Sequence, residues 1–185
     1  MGILRMLGEY FKKMKGHTKS PPRVSLVEIV WSWIGAFFGI AAVACIHYHL
    51  LDGTDLVMII GSFGASAVLL YGAIKSPLAQ PRNLMGGHVF SALVGVTCFQ
   101  LFHPCMWLSS AVAVATAIAL MHATKTLHPP GGATALIAVI GSERIHELGY
   151  LYAVIPAGLG AIVMLIVALV VNNIPRTRRY PEFWL

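Results

Sequence analysis

From residue 26 to residue 172 the sequence is a succession of apolar stretches separated by only a few polar residues, at about 26–50, 55–74, 84–102, 106–124, 129–142 and 149–172. A helix needs about 20 apolar residues to cross about 30 Å of hydrocarbon, and in lipid every backbone polar group must be satisfied internally. Long apolar runs of this kind therefore fold as helices. The chain is 57% hydrophobic and only 11% charged, where soluble domains carry about 25% charged residues. The expected fold class is all-α, a polytopic membrane helical bundle.

The fifth stretch, 129–142, is too short to span as a straight helix, so it is expected to be half of a broken helix or a re-entrant segment. Six of the thirteen Lys and Arg residues lie in the first 23 positions and three more, Arg176, Arg178 and Arg179, near the other end. That distribution describes membrane topology and gives no support to nucleic-acid binding. Two basic ends place both termini in the cytoplasm and require an even number of crossings. Six crossings put Lys75, Arg82 and Lys125 inside and Asp52, Asp55, Glu143 and Glu147 outside. Four spans plus two re-entrant segments would put those three cations outside, so the charge bias favours six.

Ile3, Leu4, Leu7, Tyr10, Phe11 and Met14 recur at helical spacing opposite Arg5, Lys12, Lys13 and Lys15, which describes an amphipathic helix lying on an anionic membrane surface. Ser20, Pro21 and Pro22 fall in a linker to the first span. That span runs about 25 residues with no small-residue cleavage site, so a retained helix is expected rather than a signal peptide. The chain divides into a basic amphipathic segment and linker at 1–25, a transmembrane domain at 26–174 and a cytoplasmic tail at 175–185, in a bacterial-type plasma (inner) membrane.

An internal echo aligns Gly61-Ser-Phe-Gly-Ala-Ser-Ala-Val-Leu-Leu70 with Pro129-Pro-Gly-Gly-Ala-Thr-Ala-Leu-Ile-Ala138 at an offset of 68. Each copy is second in a group of three segments. With three crossings per group the halves face opposite ways, giving two inverted three-segment repeats with broken or re-entrant second segments. Both copies join Gly or Pro to Ser or Thr ahead of an apolar run. Each has the look of a half-helix start, whose first N–H groups lack intrahelical partners and which carries partial positive charge suited to a small anion. Two such starts are expected to converge near the midplane. The competing explanation is that Gly61, Gly64, Ala65, Gly131, Gly132 and Ala133 only let helices approach closely.

Between the second and third segments, Lys75 to Asn83 is polar and stiffened by Pro77 and Pro81. Gln80, Arg82 and Asn83 there, with Lys125 in a corresponding place, could draw anions to a cytoplasmic mouth or serve as ordinary positive-inside anchors. His88, one turn into the third segment, and His128, just before the Pro-Pro-Gly-Gly break, are intramembrane ionisable groups and functional candidates. Either could carry a proton alongside an anion, or simply cap broken backbone. Cys45, Cys98 and Cys105 lack ligand spacing and are expected to be small core residues, so neither a metal nor any other cofactor is implied. With no Ser-His-Asp order, no HExxH and no phosphate loop, an enzyme has little support.

Leu127-His-Pro-Pro-Gly-Gly-Ala-Thr-Ala-Leu136, together with Gly61-Ser-Phe-Gly-Ala-Ser66, Ser76-Pro-Leu-Ala-Gln-Pro-Arg-Asn83 and Gly87-His88, resembles the HPP family of small integral membrane proteins over about 26–172. Members in chloroplasts and cyanobacteria are associated with nitrite transport, so the resemblance implies transport of a small monovalent anion. Family descriptions often count four spanning helices. Some relatives carry soluble CBS domains after the membrane part, and none is expected here. The resulting expectation is an anion held by Gly61, Ser62, Gly64, Ser66, His128, Pro130, Gly131, Gly132 and Thr134, with Gln80, Arg82, Asn83, His88 and Lys125 serving pathway or coupling. Membrane lipids are the other partners, and a homo-oligomer is open because six short helices make a thin bundle. An anion-binding module without a path and an intramembrane enzyme are the alternatives.

Overall fold

The computed structural model describes residues 3–54 and 56–185, with side chains from residue 6 onward. The side chains of Ile3, Leu4 and Arg5, expected on the amphipathic helix, and Asp55, expected on the outer face, lie outside the described residues. Everything described is helix, turn or extended linker, with no strand among the described residues.

Helix α1 (Ile3–Lys12) occupies the basic amphipathic segment, and Met6, Leu7, Tyr10 and Phe11 on it are all exposed. An uncovered apolar stripe beside Lys12 and Lys13 is what a helix lying in a membrane interface presents. Four helices are long and apolar enough to span: α2 (Leu26–Leu50), α4 (Pro81–Phe102), α5 (Met106–Ala123) and α8 (Ala153–Val171). Two apolar helices are shorter, α3 (Ser62–Gly72) and α6 (Pro129–Ile140), while α7 (Glu143–Glu147) is a single polar turn and a bit.

Local chemistry sets the helix starts. Ser25 caps α2, its Oγ accepting from the Glu28 amide at 3.2 Å, and Glu28 sits in the first turn where a carboxylate suits the helix dipole. Helix α4 opens on Pro81 and α6 on Pro129-Pro130, positions where a missing N–H costs nothing. Helix α4 thus begins three residues before the apolar run that marked it in the sequence.

Contacts between helices fix their directions. Gly87 packs on His128 and Gly95 on Ala135 and Ala138, so α4 and α6 run parallel. Ser62 meets Thr134 and Ser66 meets His128, so α3 runs antiparallel to α6. Gly160 of α8 packs on Phe63, and Asn172 beyond its end donates to the Leu70 carbonyl, so α8 runs with α3. Long, short, long therefore occurs twice along the chain, with the short helices pointing opposite ways. Residues 56–60 before α3 are non-helical and partly to fully buried. The second segment is thus broken, its first half non-helical and only Ser62–Gly72 helical.

Small residues bring the layers together. The Tyr71 ring lies in a notch over Gly35 and Gly39 of α2, and its hydroxyl donates to the Met164 carbonyl at 3.1 Å. The core around it gathers Met58, Phe63, Leu70, Leu84, Tyr152 and Met164, all fully buried.

Both ends of the bundle meet at one place. Arg178, 7% exposed, forms a 2.9 Å ion pair with Glu28 at the start of α2. Its guanidinium also donates to the Glu28 and Tyr71 carbonyls, to Asn172 Oδ1 and to Ser32 Oγ. Residues 175–182 are therefore a strap held to the bundle through Arg178, Tyr180 and Glu182. Tyr180 Oη donates to the Ala79 carbonyl and the Glu182 amide to Gln80 Oε1. Burial raises the Tyr180 pKa above its ordinary value, which keeps this hydroxyl a donor.

Candidate functional site

The polar centre of the bundle lies where the first turns of α3 and α6 pass each other against α4. Ser62, Ser66, His88, Ser91, His128 and Thr134 are all fully buried there. The helical period places Ser62 and Ser66 on the inner side of α3, opposite the exposed Gly61, Gly64 and Ala65. Phe63, edge-on to His88 with ring centroids 5.2 Å apart, closes one flank.

The hydrogen bonds form one connected line. His128 Nδ1 is 2.7 Å from the Leu78 carbonyl, and His128 Nε2 is 2.9 Å from Ser66 Oγ. Ser66 Oγ is 2.7 Å from His88 Nε2, and His88 Nδ1 is 2.8 Å from Thr134 Oγ1. Thr134 Oγ1 in turn lies 2.9 Å from Ser62 Oγ and 3.2 Å from the Pro130 carbonyl, to either of which it can donate. Tyr152, just before α8, donates to the Thr134 carbonyl at 3.1 Å. Buried polar groups without partners are costly, so this line is a satisfied network in an otherwise apolar interior.

The expectation of two converging helix starts offering free amides is corrected by this geometry. Helices α3 and α6 overlap side by side and antiparallel, so their starts pass each other and do not face a common point. Few amides are free: Phe63 and Gly64 donate to the Ile60 and Gly61 carbonyls, Gly131 donates to the His128 carbonyl, and Pro129 and Pro130 have no N–H. Side chains, and not backbone, are the donors that meet at the centre.

The candidate residues sort accordingly. Ser62, Ser66, Thr134 and His128 are in the line, with Pro130 supplying a carbonyl. Gly131 is a close-packing glycine, against the Gly87 carbonyl, Ser91 Oγ and Met121 Sδ. Gly132 lies half-exposed in an apolar groove of about 520 Å³ with Val114, Ile118 and Leu136. Gly61 and Gly64 are exposed on the outer side of α3, and a side chain at Gly64 would meet nothing. The helical period explains this, since positions 61 and 64 are one turn apart and lie away from 62 and 66.

His88, expected along a path, stands at the middle of the centre. Gln80 is structural, its amide donating to the Ile74 and Ser76 carbonyls at 3.0 and 2.8 Å. Asn83 Nδ2 donates to the Leu127 carbonyl at 2.8 Å, tying the start of α4 to the approach to α6. Arg82 is half-buried and Lys125 exposed in a turn with φ of 56°. Of the cysteines only Cys98 is buried; Cys45 is exposed on α2, contrary to the core role expected for it.

A cleft of about 520 Å³ opens at the end of the bundle where the chain ends meet, lined by Glu28, residues 72–76, Thr177 and Arg178, with Lys75 at its rim. The 3-10 turn Pro77–Ala79 separates this cleft from His128, because Ser76 lines the cleft and the Leu78 carbonyl holds His128. Sequence reasoning gave no sign of the Arg178 network, although Glu28, an acid in the first turn of an otherwise apolar helix, was a usable signal. Among the described residues no cluster of His, Cys, Asp and Glu has metal-binding geometry.

Residues 21–181 match the family model described as HPP, transmembrane region. Two transmembrane proteins of Dictyostelium discoideum are similar: one is 48% identical over 179 residues and the other 46% identical over 181. Each alignment covers 95% of this chain, which spans 57% and 63% of the lengths of those relatives. No solved structure matches the chain.

Proposed function

The chain belongs to the HPP family of integral membrane proteins, and from that premise we propose that it transports a small monovalent anion, nitrite foremost, through the polar centre between α3, α4 and α6. The observation that carries this reading is the broken second and fifth segments, whose short helices run in opposite directions and bring hydroxyls and imidazoles together inside an apolar bundle. Polar groups at membrane depth are expensive and mark substrate paths, and discontinuous helices mark the binding sites of many transporters. Ser62, Ser66 and Thr134 hydroxyls and the His88 and His128 ring N–H groups are the donors an anion would meet. Lys75 at the rim of the cleft supplies positive field at a mouth one turn of chain away from His128. The clustered cations at both chain ends support a cytoplasmic location for that mouth, in a plasma-type membrane. This reading has the protein moving an anion rather than catalysing a reaction.

The test is uptake into proteoliposomes of purified protein, with nitrite, nitrate and formate offered under an imposed pH gradient or voltage. Saturable nitrite entry that falls when His88 or Ser66 is replaced is expected. If none of the three anions enters under either driving force, the reading is wrong. A second reading is favoured by one observation, that the line from Leu78 to Ser62 satisfies itself within the protein: a closed anion-binding module. Tight nitrite binding without entry would select it.

A further inference from the structure

The hydrogen-bonded line through the polar centre carries more information than its distances, because the Leu78 carbonyl at one end can only accept. His128 Nδ1 must therefore hold a proton and donate it to Leu78. With His128 neutral, its Nε2 is an acceptor and Ser66 must donate to it. Ser66 has then spent its one proton and must accept from His88 Nε2–H. His88 Nδ1 is thereby an acceptor, and the Thr134 hydroxyl must turn to it from Ser62 Oγ and the Pro130 carbonyl, its other acceptors. With these bonds made, the neutral line from Thr134 to Leu78 has one proton arrangement, every donor pointing toward Leu78. A second complete arrangement exists on the same heavy atoms, with one proton more. His128 then holds protons on both ring nitrogens, Ser66 donates to His88 Nε2, His88 Nδ1–H donates to Thr134, and Thr134 donates to Ser62 or to the Pro130 carbonyl.

We propose that Thr134, His88, Ser66 and His128 form a proton relay through the centre of the bundle, with Ser66 the link between the two histidines. In one passage a hydronium at the Ser62 end gives its proton to Thr134 Oγ1 and becomes water. The Thr134 hydroxyl proton passes to His88 Nδ1, the His88 Nε2 proton to Ser66 Oγ, and the Ser66 proton to His128 Nε2. Each O–H or N–H bond breaks as the next forms, and the imidazolium left at His128 releases its Nδ1 proton to water of the cleft when the Pro77–Ala79 turn moves aside. Three bonds of 2.7 to 2.9 Å link the four groups, so no water need enter the centre for the internal hops.

The surroundings suit this role. Tyr152 faces the centre from the approach to α8 through its bond to the Thr134 carbonyl; Tyr180 reaches the Ala79 carbonyl from the strap, and Arg178 the Tyr71 carbonyl. From α4 itself Arg82 stands two turns before His88, and His122 of α5 is exposed. No Asp or Glu side chain among the described residues bonds to the line, so nothing pins the extra proton as a fixed ion pair. The relay stands apart from the anion reading, since it needs only these side chains.

Two measurements decide it. Nitrogen-15 spectra of labelled histidine in protein reconstituted into bilayers at alkaline pH, assigned with His88→Gln and His128→Gln, should show opposite neutral tautomers, with the proton on Nδ1 of His128 and on Nε2 of His88. Both rings in the same tautomer would overturn the relay without any need for a variant to transport. In vesicles with a trapped pH dye and a potassium-valinomycin voltage, the wild-type protein should move protons without added anion. Ser66→Ala should lower that flux by about tenfold or more while Ser66→Thr, which keeps a hydroxyl, stays close to wild type. Wild-type vesicles no leakier than empty ones, or Ser66→Ala conducting like wild type, would overturn it. Nitrite uptake recorded in the same vesicles separates the two ideas: proton flux with no anion entry counts against the transport reading alone.

Discussion

The Arg178 network at the chain ends and the histidine network at the centre are both buried and well bonded, but they are built from different chemistry. Arg178 brings a permanent cation to Glu28 and gives all its reach to fixed acceptors, two of them backbone carbonyls. The guanidinium cannot lose its proton, so that network has one state, and it joins the start of α2 to the strap after α8. The side chains of the centre are hydroxyls and imidazoles that both donate and accept, so their protons can be redistributed while the atoms stay in place. The comparison teaches that burial alone does not define a site: one polar cluster closes the bundle and the other is able to change.

That contrast can be broken by substitution. The largest effect is expected from Arg178→Met, which strands Glu28 and several buried acceptors and should lower stability by about 3 kcal/mol, read by denaturation in detergent micelles. Anion uptake per folded molecule should then stay near wild type; a selective loss of uptake would make the clasp part of the site. Next comes Gly131→Ala, whose new methyl would press on the Gly87 carbonyl and Ser91. It should cost about 2 kcal/mol by overpacking and raise the midpoint only if the centre is looser than it looks. His88→Gln is expected to cost about 1 kcal/mol of stability, since an amide can keep one of the two bonds, yet to cut uptake by about tenfold or more. Uptake that survives this change would move the path elsewhere. The smallest effect belongs to Gly64→Ala, whose side chain meets nothing, within about 0.5 kcal/mol and with unchanged uptake. A block there would show that the outer side of α3 carries the path after all.

Much of the architecture was readable before any coordinates. The stretches 26–50, 106–124 and 129–142 correspond to α2, α5 and α6 within two residues, and the short fifth segment was correctly set apart. Hydropathy and length suffice there because lipid leaves a helix as the only way to satisfy backbone. The second segment was harder: 55–74 looks uniformly apolar, yet only Ser62–Gly72 is helical, and the stretch before it is partly to fully buried in protein, with the Met58 amide donating to His47. The candidate site was half legible. Ser62, Ser66, His88, His128 and Thr134 stood out by residue type and by the echo between the short helices, whereas Gly61 and Gly64 were chosen with them and face away. Motif likeness does not encode which way a residue points; the helical phase of neighbours does.

Sequence by itself determined that this is a membrane helical bundle, roughly where each helix runs, and which few polar residues must lie at membrane depth. Those properties follow from the cost of moving residues and backbone between water and hydrocarbon, which each segment meets on its own. Only the tertiary structure decided that α3 and α6 pass side by side, that His88 and His128 share Ser66, and that Arg178 closes the bundle on Glu28. Such pairings join residues up to 150 positions apart, and no local free energy selects them. They arise when helices pack through their small residues and bring distant polar side chains such as Ser66 and the two histidines within reach of one another.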